Sequence, residues 1–146
     1  MKTEPDTFSI DDLKRDGTTL WSGVRNFGAR NNMMQMNVGD LVLLYHSSCA
    51  ENGVYGVGGV VSVALPDQTQ YDVTSPYFDR RATKEKSVWF CVEVGFAEKF
   101  IRPFLLVDIK NDPQLEGMVL TQRSRLSVQP VSETHFKYIQ RVASRL

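Results

Sequence analysis

The chain has 146 residues, 42% hydrophobic and 23% charged, with 17 basic and 17 acidic side chains and a formal net charge of zero. That length suits a single domain over 1–146 with a proper core, and the composition is that of a soluble globular protein. A zero balance excludes a protein held to nucleic acid by its overall field alone, and the longest apolar run, Leu41 to Tyr45, is far too short to span a membrane.

The opening residues Met1 to Asp6 carry no apolar core of a secretory signal, so a cytoplasmic location is expected. Cys49 and Cys91 are too few for a disulfide framework. With His46 and His135 they lack the paired local spacing of a zinc site, so neither a metal nor a cofactor is expected. Charge is uneven along the chain. Residues 1–20 hold three basic and five acidic groups, whereas 121–146 hold five basic groups against Glu133 alone.

Phe8-Ser9-Ile10-Asp11-Asp12-Leu13 reads as a helix start, with Ser9 as N-cap, Asp12 completing a capping box and Gly17 ending the helix. Trp21-Ser22-Gly23-Val24-Arg25-Asn26-Phe27-Gly28-Ala29-Arg30 follows, and a second helix is expected from about Ser22 to Met34. Such a helix would set free backbone N–H groups beside the Trp21 indole, with Asn26 and Arg30 on one polar face. A flat ring, a planar fork of donors and an amide are the groups that read a nucleobase, although Trp is more often a core anchor.

Leu41 to Tyr45 is a continuous apolar run, as in a strand covered on both sides, and ends at His46-Ser47. A second strand, Val54 to Ala64, contains Gly56, Gly58 and Gly59, which suits a barrel corner better than close approach of a ligand. Pro66 to Ser87 is a long polar segment with Tyr71, Tyr77 and Phe78 and a basic tail of Arg80, Arg81, Lys84 and Lys86. Segments of that length are commonly functional or mobile, and the basic tail reads as a solvated face.

Val88, Phe90, Val92, Val94 and Phe96 alternate as a half-buried strand, and Leu105 to Asp112 suits a short helix stopped before Pro113. Leu126 to Val131 reads as a strand leading into a last helix capped by Ser132. Phe136, Ile139, Ala143 and Leu146 form the buried stripe of that helix. Lys137, Arg141 and Arg145 form a basic row able to track a phosphate backbone, or simply a solubilising surface.

Lys2-Thr3-Glu4-Pro5-Asp6-Thr7-Phe8-Ser9, Trp21-Ser22-Gly23-Val24-Arg25-Asn26, Met36-Asn37-Val38-Gly39-Asp40, Tyr45-His46-Ser47 and Arg125-Leu126-Ser127-Val128-Gln129-Pro130-Val131 together resemble the EVE-domain family, in order along the whole chain. The compact length looks like a bacterial stand-alone member. The resemblance implies an α+β, PUA-like fold: a curved, mostly antiparallel β pseudo-barrel with flanking helices. It also implies a module that binds DNA or RNA carrying modified bases, modified cytosine foremost, with no catalytic activity. Family members usually begin a few residues earlier with an apolar strand, so the expectation is either a truncated first strand or a true start upstream of Met1. Gly28 stands where the family pattern usually has Gln.

On this reading the ligand-binding residues are Trp21, Val24, Arg25, Asn26, Arg30, Tyr45, His46, Ser47, Ser127 and Gln129, with Lys137, Arg141 and Arg145 on the nucleic-acid backbone. Trp21 would stack on the base while Arg25 and Asn26 address its edge or a neighbouring phosphate. The alternative is an enzyme acting on a modified nucleotide or RNA through Asp79, Glu4 or His46. No close carboxylate pair or activated nucleophile supports it in the sequence.

Overall fold

The computed structural model describes residues 1–144. In chain order the strands are β1 (Lys2–Thr3), β2 (Thr18–Leu20), β3 (Leu41–His46), β4 (Gly53–Val60), β5 (Leu65–Pro66), β6 (Phe90–Cys91) and β7 (Glu93–Leu105). The helices are α1 (Ile10–Asp16), α2 (Phe27–Met34), α3 (Leu106–Asn111), α4 (Val119–Gln122) and α5 (Glu133–Ala143). Five strands form one curled mixed sheet in the order β1-β3-β4-β7-β2; only β1 runs parallel to its neighbour, and β5 with β6 makes a separate ribbon. The expected α+β fold, a curved and mostly antiparallel sheet with flanking helices, is the fold observed, and its sheet curls into a half-barrel. No described helix is long and apolar enough to cross a membrane.

Strand β3 shows why its run is apolar throughout. Successive side chains of a strand point to opposite faces. Val42 and Leu44 enter one core with Ile10, Leu13, Trp21 and Val94, whereas Leu43 and Tyr45 enter a second core with Phe100, Phe104 and Ile139. The first core lies under α1 and α2; the second lies under α3 and α5.

The glycines of β4 serve the barrel corner. A Cβ on Gly56 would stand 2.3 Å from the Glu98 carbonyl oxygen, and one on Gly58 would stand 2.8 Å from Val94 Cγ1. Register shifts flank both positions where β4 crosses β7, so the backbones approach where side chains are missing. The α1 cap is also as read: Asp12 N–H donates to Ser9 Oγ (3.1 Å) and Ser9 N–H to Asp12 Oδ2 (2.9 Å), with Gly17 closing the helix at φ +81°.

Four expectations are corrected. Helix α2 begins at Phe27, capped by Asn26, and not at Ser22. Gly23 adopts φ +85° and gives its N–H to the Asp67 carboxylate at 2.8 Å, which a right-handed helix could not do. Strand β4 stops at Val60, short of Ala64. The alternating strand breaks after Cys91 and then runs on as β7 through Pro103 to Leu105, because Phe100 and Phe104 fill the second core. Leu126 to Val131 is irregular, not a strand: Lys2 N–H bonds the Ser127 carbonyl at 2.8 Å, while Leu126 and Val128 turn into the first core.

Candidate nucleic-acid interface

Residues Trp21 to Asn26 form an extended turn pinned from both sides. Trp21 is 8% exposed, lies edge-on to Phe8 and shares the first core with Val24, Leu126 and Val128. Ser127 lies between those last two residues, and the open backbone at Gly28 faces Leu126 Cδ1. The structure thus brings the 21–28 stretch against the 126–128 segment.

Arg25 turns its guanidinium inward. Its Nη1 donates to Asp67 Oδ2 (3.1 Å) and to the Val24 carbonyl (2.9 Å), Nη2 to Thr69 Oγ1 (2.9 Å), and both Nε and Nη2 to the Tyr77 carbonyl. Asp67 is fully buried. Burial alone would raise its pKa, but hydrogen bonds from the Thr69 hydroxyl and N–H, the Gly23 N–H and Arg25 outweigh it and hold the carboxyl below its ordinary value. Arg30 is likewise anchored, donating to the Val88 carbonyl at 2.8 Å and to Asn31 Oδ1. Asn26 spends its Oδ1 on the Ala29 N–H at 2.9 Å while the residue stays exposed at the start of α2.

The other predicted residues lie elsewhere on the barrel. Tyr45 belongs to the second core, with the Lys2 ammonium 5.6 Å from its ring centroid. His46 is 4% exposed, stacks on Tyr55 at 4.0 Å and accepts the Ile10 N–H at Nε2 (3.1 Å), so it caps α1. Ser47 pairs its N–H with the Thr3 carbonyl. Gln129 donates to the Leu126 carbonyl at 2.7 Å and, with Tyr45 and Lys137, lines a groove of about 650 Å³ between β3, the end of α2 and α5. On α5, Lys137 pairs with Glu133 at 2.8 Å and the Arg141 guanidinium lies 5.5 Å from the Tyr138 ring centroid. Arg145 and Leu146 lie outside the described residues.

Reasoning from sequence missed the partners that shape this surface. Trp89 is 3% exposed, stacks on Phe27 at 4.7 Å and donates its indole N–H to Asp79 Oδ2 at 2.9 Å. Gln70, also fully buried, ties the 66–87 segment to the sheet through the Val88 and Trp89 N–H groups and the Asp67 and Trp89 carbonyls. An acidic residue and an amide in a polar segment carry no local signal of burial; Gly23, which only a special backbone needs, was the available clue. Hydrogen bonds from Arg81 and Trp89 hold the Asp79 carboxyl far below the usual carboxylate range, and desolvation holds the His46 imidazole below its ordinary value. Two of the three groups considered for acid–base work, Asp79 and His46, are thus engaged in the fold. Burial pushes the Cys91 thiol up to about 11, as for a structural cysteine. Among the described residues no group of three His, Cys, Asp or Glu side chains gathers as a metal would require.

A mixed half-barrel whose extended turn carries Trp21, Arg25 and Asn26 beside the 126–128 segment matches one known class. The family model described as the EVE domain matches residues 1–142, and the chain belongs to that family. Thymocyte nuclear protein 1 of Gallus gallus is 36% identical over 158 residues, covering 95% of this chain and 65% of that protein, so the chain spans slightly less than two thirds of that relative. A hypothetical protein from Leishmania major is 48% identical with a TM-score of 0.94, covering 98% of this chain and 91% of that one. Human THYN1 protein, solved in complex with 5-methylcytosine-containing DNA, is 33% identical with a TM-score of 0.93, covering 100% of this chain and 96% of that chain.

Proposed function

We propose that this chain is a nucleic-acid-binding module that reads a modified base, modified cytosine foremost, and performs no chemistry on it. The observation that carries the reading is the close structural likeness, over the whole chain, to the human protein solved with 5-methylcytosine-containing DNA. DNA is the carrier in that relative; RNA is a second carrier within this proposal.

In this reading the base is received where the Trp21–Asn26 turn meets the segment of Ser127, with Trp21 and Val24 as the apolar wall and Gln129 bracing that segment from the groove side through the Leu126 carbonyl. Arg25, Arg30, His46 and Tyr45 hold the surrounding frame, Ser47 fixes the neighbouring strand end, and Lys137 and Arg141 offer phosphate contacts. Flipping a base costs a few kcal/mol and stacking returns about 1–3 kcal/mol, so edge contacts or basic side chains must supply the rest. Burying one methyl group contributes about 0.8 kcal/mol, or about fourfold in affinity; an enclosed pocket adds to that by leaving a void around an unmodified base.

The test is binding of matched labelled oligonucleotides, DNA and RNA, carrying cytosine, 5-methylcytosine, 5-hydroxymethylcytosine or N6-methyladenine. A preference of at least about fourfold for one modified cytosine is expected. Trp21→Phe, which keeps a ring in the core, should reduce that preference while thermal unfolding remains cooperative. Equal affinity for all bases, or no binding at micromolar protein, overturns the reading.

A further inference from the structure

We propose that the face formed by Phe27, Tyr77 and Phe78 with Arg80, Lys84 and Lys86 binds single-stranded nucleotides flanking the modified base. This rests on the base-reading function above and assigns the place where the rest of the strand lies.

Three large aromatic residues stand exposed there, Phe27 at 48%, Tyr77 at 42% and Phe78 at 40%. Isolated exposed rings are ordinary, but rings gathered from segments about fifty residues apart call for an occupant. Phe27 and Tyr77 are held by cations, and Phe78 follows Tyr77 directly in the chain. The Arg25 guanidinium lies 5.3 Å from the Trp89 ring centroid and 5.5 Å from that of Tyr77. Arg30 and Arg81 lie 4.8 and 6.0 Å from the Phe27 ring.

The face is also fixed in advance. Asp79 N–H donates to the Gln70 carbonyl at 3.0 Å, and the Asp79 carboxylate takes both the Trp89 indole and Arg81. Rings held this way lose little freedom when a base stacks on them.

Charge points to the same occupant. Residues 77–86 hold four basic and two acidic side chains. Asp79 is neutralised by Arg81 at 2.7 Å, leaving Glu85 as the opposing charge on the turn. Arg80, Lys84 and Lys86 are exposed and make no ion pair among the described residues, whereas Lys137 on α5 is paired with Glu133. Exposed rings interleaved with unpaired cations form the surface that holds single strands: bases stack on the rings and phosphates meet the cations. Paired duplex bases offer no open face to such rings.

The face adjoins the base site directly. Tyr77 packs so closely on Gly23 that a Cβ there would stand 2.9 Å from its ring, and the Tyr77 carbonyl accepts from Arg25. A strand leaving the Trp21–Asn26 turn therefore passes onto Tyr77.

The experiment compares anisotropy titrations of single-stranded DNA with one 5-methylcytosine, roughly three or roughly twelve nucleotides long, at several salt concentrations. Wild type should bind the longer strand more tightly. Arg80→Ala/Lys84→Ala/Lys86→Ala should lower affinity for the long strand at least tenfold and reduce the slope of log affinity against log salt by about two. Phe78→Ala should weaken long-strand binding roughly five- to hundredfold, with Phe78→Tyr restoring it and a matched duplex unaffected. Binding of the short strand and the ratio of 5-methylcytosine to cytosine should stay as in wild type.

The proposal is overturned if strand length does not matter. It also fails if the triple and Phe78→Ala variants bind the long strand like wild type, or if Lys137→Ala/Arg141→Ala alone removes the salt dependence. A wild type that ignores cytosine methylation but loses long-strand binding in the triple variant sinks the base reading and leaves this face standing.

Discussion

Removing the Asp67 carboxylate takes the acceptor from four donors at once: the Gly23 N–H, Arg25 Nη1, and both the N–H and hydroxyl of Thr69. Asp67 is wholly buried, so Asp67→Ala leaves the Gly23 and Thr69 N–H groups without this acceptor and takes the carboxylate from an Arg25 side chain that is 20% exposed. Breaking one side of a buried ion pair costs about 3–5 kcal/mol, and the remaining Tyr77 and Val24 carbonyls on Arg25 place this variant near the lower end. Urea denaturation at neutral pH should show a midpoint lowered accordingly. Because Gly23 and Arg25 shape the turn that carries Trp21, Asp67→Ala should also weaken binding of modified oligonucleotides where the variant is still folded. A variant as stable as wild type would show that the ion pair contributes nothing to the turn.

At the scale of the element, the glycines of β4 divide cleanly. Gly56→Ala drives a methyl group to 2.3 Å from the Glu98 carbonyl and 2.8 Å from Ile10 Cδ1, so β4 and β7 must separate. Gly59→Ala meets only the Asp40 carbonyl, at 4.0 Å. Overpacking costs about 1–3 kcal/mol where side chains can yield, and a backbone carbonyl yields less. Thermal unfolding should therefore show Gly56→Ala destabilised by at least about 2 kcal/mol and Gly59→Ala close to wild type. Equal midpoints would mean that the barrel corner does not depend on strand approach.

These same elements explain what the chain disclosed unaided. The continuous apolar run of β3, the Ser9 and Ser132 caps and the glycine corner are local signals, and each is present in the structure. The start of α2 and the irregular 126–131 segment are set by partners distant in sequence, Asp67 for the one and Lys2 with the first core for the other, which no local pattern encodes. The Phe27–Trp89 stack and the Arg25–Asp67 pair went unread for the same reason.

The whole molecule meets at His46, where sheet and first helix are joined. Its imidazole accepts the Ile10 N–H that opens α1, stacks on Tyr55 from β4 and is almost wholly buried. Acceptance at Nε2 requires the neutral ring with its proton on Nδ1. Desolvation lowers its pKa below the ordinary value of 6.5, with Lys99 acting in the same sense and Asp11 opposing. The unfolded chain therefore takes up this proton first as pH falls. Stability from His46 is complete above about pH 6.5 and is lost as pH drops through the lowered folded value, with a limiting slope of about 1.4 kcal/mol per pH unit. Asp67, whose pKa is also lowered, acts in a separate window: its contribution is present above about pH 4 and is lost below it. Between about pH 6.5 and pH 5 His46 thus adds its loss to that of the buried Met1 amino group, whose pKa burial pushes down to about 5, and the part removed by a non-titrating side chain at 46 belongs to His46. Urea titrations across that range should show falling stability in wild type and a flatter profile in His46→Gln, whose amide oxygen can still accept the Ile10 N–H but does not titrate. Parallel profiles for the two proteins would assign the pH response to another group and leave His46 as a neutral cap alone.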